Sequence, residues 1–348
     1  MFDEANRMRN YELGIMDSQK IFTNKTKECA MMYKAKYDLS VLMIFFTRPN
    51  TLKQVFAQVK KARPARLFLA CDGPRENNSA DAENIAECKA IVSDIDWECE
   101  VHTLYREENL GWGKGPSEAI SWAFSHTDKL AILEDDCVPN DCFFPYMQEL
   151  LEKYANDERV GMISGLNHFK NWDCGENSYC FTNSAAIWGW GTWKRVWDQY
   201  DYYNTMSNDK YCMHLFEMGP GSKRVAAQRI KAWRQTAKEA QKKKIQLWDN
   251  QFTLLMFSQS RLGIVPKHNL ICNIGAGAGA THAQKLQETK WKPGSVLFMP
   301  TEALELPLKH PDYVVCDRYY DKKYFETMAF PHPIVRFFQR VKHRLLKR

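Results

Sequence analysis

The sequence predicts an α/β protein with a mostly parallel central sheet, helices on both faces and one main domain. Three observations predict it. Apolar runs of strand length recur at 39–46, 66–71 and 129–133, with few polar interruptions, as strands buried on both faces require. Helix-patterned segments alternate with them. Each run then ends in a polar turn: Thr47-Arg48, Asp72-Gly73 and Glu134-Asp135-Asp136. In such sheets ligands bind beyond the carboxyl ends of the strands, so these turns should converge on one edge.

Each element has a local cause. The run Leu39 to Phe46 stops at Pro49, and Asn50 or Thr51 can cap a helix through Leu52, Val55, Phe56 and Val59. The second run, Arg66 to Cys71, ends in Asp72-Gly73-Pro74, and a helix over 81–93 follows. A third strand is expected over 98–104. The Gly-rich stretch 109–115 then reads as a loop opening a helix over 116–126. A fourth strand, 129–133, runs into the acidic triplet 134–136 and a turn at Val138-Pro139-Asn140.

Beyond residue 150 the pattern loosens. A short strand, a loop and Ile187-Trp188-Gly189-Trp190-Gly191-Thr192-Trp193 occupy 160–200, and a charged helix is expected over 222–244. A helix from Asp249 to about 260 and the Gly-Ala run 275–280, ending near His282, complete this half. Residues 1–37 read as a surface extension, 38–330 as the main domain and 331–348 as a basic amphipathic helix. In that helix Phe337, Phe338 and Val341 lie opposite Arg336, Arg340, Arg344 and Lys347.

Charge and cysteine usage narrow the classes of function. Net charge is +6, from 48 basic and 42 acidic residues, and six of the basic ones fall in 336–348. The body is nearly neutral, which argues against a nucleic-acid partner. Eleven cysteines without a C-x-x-C pair, after a polar N-terminal stretch, point to reduced thiols in a cytoplasm. No run approaches the ~18 consecutive apolar residues of a membrane span. The basic tail reads as a peripheral anchor on an anionic, inner membrane face, or as a helix docked on the domain.

Three consecutive carboxylates at a strand end repel one another and call for a compensating cation, unless they form a solvated acidic turn. A hard divalent ion shared with a diphosphate fits such a cluster. Asp72 can bind a ligand or simply form its turn. Trp248-Asp249 offers a carboxylate beside an apolar wall, suited to a general base, and Asp249 equally suits a helix start. Lys114 is a candidate phosphate contact, although the spacing of Gly111, Gly113 and Gly115 matches neither a dinucleotide nor a P-loop motif. Trp188, Trp190 and Trp193, set among glycines, could wall a sugar site or pack as a core corner.

The strand–Glu-Asp-Asp–turn–Phe143-Phe144 arrangement resembles the acidic metal motif of GT-A glycosyltransferases, the family-2 group in particular, and is similar in layout to N-acetylglucosaminyltransferase I. Thr47-Arg48-Pro49-Asn50 resembles the first loop of family-2 enzymes, and Asn109-Leu110-Gly111 their Asn-x-Gly. The matches run in family order from about 39 to 285.

The resemblance implies a nucleotide-sugar half at 38–150 and an acceptor half at 151–330. It implies Thr47, Arg48, Lys114, Glu134 and Asp135 around the donor, with Arg48 near the phosphates and Asp135 near the ribose. Asp72 would take the uracil imide N–H, and Asp136 and His282 would hold Mn²⁺ or Mg²⁺. Asp249 would be the base of an inverting transfer from a UDP-sugar to a glycan or lipid-linked acceptor in bacterial surface-glycan synthesis. The rivals are a sugar nucleotidyltransferase, which attacks phosphorus, and an inactive nucleotide-sugar or glycan-binding protein.

Overall fold

The computed structural model describes residues 32–218, 222–242, 247–275 and 295–329. Most of the expected N-terminal extension, the Gly-Ala run from residue 276, His282 and the basic tail 331–348 lie outside the described residues.

The first half alternates as the apolar runs predict. Strand β1 (Tyr37–Phe45) leads to α1 (Pro49–Ala62), β2 (Pro64–Cys71) to α2 (Ala80–Val92), and β3 (Glu100–Tyr105) to α3 (Gly111–Ala123). Then follow β4 (Lys129–Glu134), β5 (Cys137–Pro139) and α4 (Phe143–Lys153). Val41, Leu42 and Met43 are consecutive and all buried, so β1 is covered on both faces. Leu52, Val55, Phe56 and Val59 form the buried stripe of α1. Pro49 starts that helix, its fixed φ suiting the first turn; no side chain caps it, and the Thr51 hydroxyl instead donates to the Arg48 carbonyl.

The second half holds β6 (Val160–Ser164), β7 (Tyr179–Thr182), β8 (Trp190–Trp193) and the single turn α5 (Lys194–Trp197). After α6 (Lys210–Leu215) come α7 (Lys223–Gln241), α8 (Asp249–Ser258), β9 (Leu262–Pro266), β10 (Ile271–Asn273) and α9 (Arg318–Tyr324).

Eight strands form one sheet in the order β3-β2-β1-β4-β8-β6-β9-β7. The β3-β2-β1-β4 block is parallel throughout. Strand β8 then runs antiparallel to both neighbours, β9 is parallel to β6, and β7 is antiparallel to β9. The chain is therefore mixed α/β, with helices flanking a large, mostly parallel sheet, an arrangement compatible with a Rossmann-like fold. One contiguous core runs through it, and a smaller cluster of Met213, Ile230, Trp233 and Leu254 sits under α6 and α7. Each such side chain contributes about 1.5–3 kcal/mol by leaving water.

Two expectations are corrected here. The glycines at 111, 113 and 115 do not form a loop but the opening turns of α3, which begins at Gly111 rather than 116. Residues 138–139 are not a free turn: β5 pairs antiparallel with β10 in a small second sheet. That pairing brings Asn273 opposite Cys137, next to the acidic triplet.

Candidate functional site

Register explains why the polar turns converge. In β1, Phe45 pairs with Cys71 of β2, and Ile44 pairs with Glu134 of β4. Three parallel strands thus end level, and the turns after them meet at one sheet edge. The Arg48 guanidinium reaches across: Nη1 donates to Asp136 Oδ2 at 2.8 Å, Nε donates to Asp135 Oδ2 at 3.3 Å, and Nη2 donates to Asp135 Oδ1. The Phe46 amide adds a longer bond to Asp135 Oδ2 at 3.4 Å. Asp135 and Asp136 are buried and Glu134 is half-buried.

The charge balance is unequal: three carboxylates face one guanidinium. Burial, then Asp136 and Asp135, push the Glu134 carboxyl up to about 8, against the opposing pull of Arg48. Burial likewise lifts Asp135 to about 6, although Arg48 acts against it. Burial lowers the Arg48 pKa, but Asp135 and Asp136 outweigh it and hold the guanidinium firmly charged.

The far side of the cluster is built by β10. The Ile274 amide donates to the Asp136 carbonyl at 2.8 Å, and the Gly275 amide donates to Asn273 Oδ1 at 2.8 Å. A Cβ on Gly275 would stand 2.0 Å from Asp136 Oδ2, so only glycine allows this approach. The Gly-Ala run was the sequence signal of that closeness; Asn273 carried none.

Oxygen or sulfur atoms of Glu134, Asp136 and Cys137 lie within 4.8 Å of one another. Burial keeps the Cys137 thiol protonated, and it donates to Asp136 Oδ1 at 3.4 Å. The two carboxylates therefore fit a hard cation, with Cys137 orienting Asp136. With all three carboxylates ionised, Arg48 would cancel one charge and a divalent ion would match the other two.

Asp249, at the start of α8, is near enough for its charge to act on Glu134, Tyr200 and Tyr324. Its neighbour Trp248 is buried and stacks on Trp190 at 5.7 Å between centroids. Tyr324 also feels Arg229, a buried guanidinium set 4.1 Å from the centre of the Phe257 ring. Neither Tyr324 nor Arg229 had a motif to announce it.

Other predicted residues take local roles. Asp72 accepts from the Leu110 and Gly111 amides at 2.9–3.0 Å and so holds the start of α3. Burial raises its pKa, against those amides and Arg106. Arg106 itself, 4.0 Å from Asp72 Oδ1, was missed by sequence reasoning. Thr47 is half-buried beside Arg48. Lys114 points to the exposed side of α3 and pairs with Glu118 at 3.3 Å. Trp190 and Trp193, expected as acceptor walls, are 0% and 2% exposed; they belong to strand β8 and its core. Trp193 donates to the Leu151 carbonyl at 2.9 Å. Only Trp188 of the three keeps an accessible face.

No family model and no curated protein matches the sequence. Among solved structures, A197 from STIV is similar at 13% identity, over 47% of this chain and 69% of that one. The TM-score of 0.27 is too low for the likeness to bear on fold or function.

Proposed function

We propose that this chain is a metal-dependent, inverting glycosyltransferase of GT-A type, transferring a sugar from a nucleotide diphosphate donor, UDP-linked by resemblance, to an acceptor hydroxyl. One juxtaposition carries the proposal: a carboxylate cluster short of positive charge lies within electrostatic reach of a separate carboxylate, Asp249, that has an apolar wall. A diphosphate leaving group needs the first, and a hydroxyl nucleophile needs the second.

Glu134 and Asp136 would hold a divalent ion, Mn²⁺ or Mg²⁺, which when bound supplies positive charge to the departing diphosphate. Asp135 stays tied to Arg48 on the ribose side. Asp72, already anchoring α3, would orient the base through its remaining lone pairs. Asp249 takes the proton of the acceptor hydroxyl as that oxygen attacks the anomeric carbon. The bond from that carbon to the diphosphate oxygen breaks, and configuration inverts. Trp248 excludes water on one side of Asp249, and Trp188 offers the acceptor an open ring face.

The experiment is a pair of measurements on Asp249→Asn. UDP binding in Mn²⁺, followed by calorimetry, should match wild type, while turnover of a nucleotide-sugar donor that wild type uses should fall by about 100-fold or more. Turnover within tenfold of wild type would remove Asp249 as the base.

A further inference from the structure

We propose that residues 203–218 and helix α7 form a docking surface for an anionic lipid bilayer, separate from the acidic sheet edge. Among the described residues, thirteen large apolar side chains are exposed, and five of them fall within the sixteen positions 203–218. Met218 is 81% exposed, Tyr211 70% and Leu215 57%; Tyr203 and Met206 complete the set. Helix α6 accounts for two of them. Its one buried side chain, Met213, turns inward onto Ile230 and Trp233, so Tyr211 and Leu215, an i,i+4 pair, share the outer face.

Helix α7 supplies the charge. Lys223, Lys231, Arg234 and Lys238 are exposed, with Lys242 at the helix end; Ala227 fills the remaining helical spacing. They form one stripe along the solvent side, opposite buried Ala226, Trp233, Ala237 and Ala240. Of the inward residues, Ile230 lies nearest that stripe around the helix, and Ile230 belongs to the same small cluster as Met213 of α6. Helices α6 and α7 therefore share one small core, and the cationic stripe and the apolar face of α6 both turn away from it toward solvent.

The acidic residues of 209–218 and of α7 each have a local partner. Asp209 accepts from the Tyr211 and Cys212 amides, Glu239 accepts from Gln235 at 2.9 Å, and Glu217 lies 3.4 Å from His214. Exposed aromatic, Leu and Met side chains together with a row of lysines suit a headgroup region, where the apolar groups enter and the ammonium groups meet phosphate and carboxylate. A nucleic acid would use the cations and leave Leu215 and Met218 in water. Among the described residues no helix is long and apolar enough to cross a bilayer, so the contact is a peripheral one.

Sedimentation of the full chain with vesicles tests the surface independently of transfer. Vesicles of phosphatidylcholine alone are compared with vesicles containing about one-third phosphatidylserine. Wild type should pellet with the anionic vesicles and remain in solution with the neutral ones. Lys231→Glu/Arg234→Glu/Lys238→Glu should weaken pelleting at least tenfold, and Tyr211→Ser/Leu215→Ser at least threefold, each with an unchanged circular dichroism spectrum. Both variants retain residues 333–348. Undiminished pelleting of the triple variant would overturn the proposal by assigning the contact elsewhere, and loss of lipid binding in the charge variant alone would do so by leaving the apolar face without a role. Because the assay reads lipid alone, its failure leaves the sheet-edge site standing.

Discussion

Two buried carboxylate centres, one after the central strand β4 and one against the edge strand β7, differ in how their oxygens are satisfied. Asp321, in α9, accepts from the Thr182 hydroxyl, the Asn183 amide at 3.0 Å, Asn183 Nδ2 at 2.7 Å and the Ser184 hydroxyl at 2.8 Å. Neutral donors fill that carboxylate and tie α9 to the edge strand β7. Glu134, Asp135 and Asp136 instead share one guanidinium and repel each other. A filled carboxylate is a strut; an underfilled cluster leaves charge for something to bind. The contrast distinguishes architecture from chemistry in residues of the same type.

The largest effect expected is at the strut. Asp321→Ala strands several buried donors and should cost about 4 kcal/mol in urea unfolding, with no recovery on adding Mn²⁺. Next, Arg48→Met removes the cation bonded to Asp135 and Asp136 and should cost about 3 kcal/mol. Here millimolar Mn²⁺ should restore much of the melting temperature, because a cation replaces the lost charge and binds only the native state. Equal behaviour of these two variants in Mn²⁺ would erase the distinction.

Asp136→Asn should shift stability by only about 1 kcal/mol or less, since lost Arg48 pairing is offset by relieved repulsion, yet should abolish metal-dependent UDP binding in calorimetry. The remaining effect is a slope with pH. His168, beside Tyr320 and Tyr324, is pushed by burial from the usual 6.5 down to about 3. Between those values the unfolded chain holds a proton that the native chain refuses, so stability falls as pH drops through that window. His168→Gln should flatten this fall by about 1.4 kcal/mol per pH unit, read from urea midpoints at pH 4 to 6 relative to wild type.

The first half was legible because its signals are local and repeated. Val41 to Met43, the α1 stripe and the turn after each strand all follow from spacing along the chain. The second half was not. Trp188, Trp190 and Trp193 carry the same residue type at nearly the same spacing, but β8 inserts between β4 and β6 and buries two of the three. Gly189 adopts φ +56°, and a Cβ there would meet Ile271 Cδ1 at 2.3 Å, so the Trp-Gly alternation serves a crowded turn into the sheet. No periodicity in the sequence distinguishes an inserted strand from an open aromatic loop.

By itself the sequence determined the alternation of strands and helices, the parallel first half and the acidic triplet at a strand end, because hydrophobic pattern and turn chemistry act between near neighbours. Only the tertiary structure decided that Arg48 pairs with both Asp135 and Asp136, that Asn273 and Gly275 wall in Asp136, and that Asp249 comes within reach of Glu134. Those are meetings between residues far apart in the chain. Their charges interact through space and burial, and neither quantity is written in the order of amino acids.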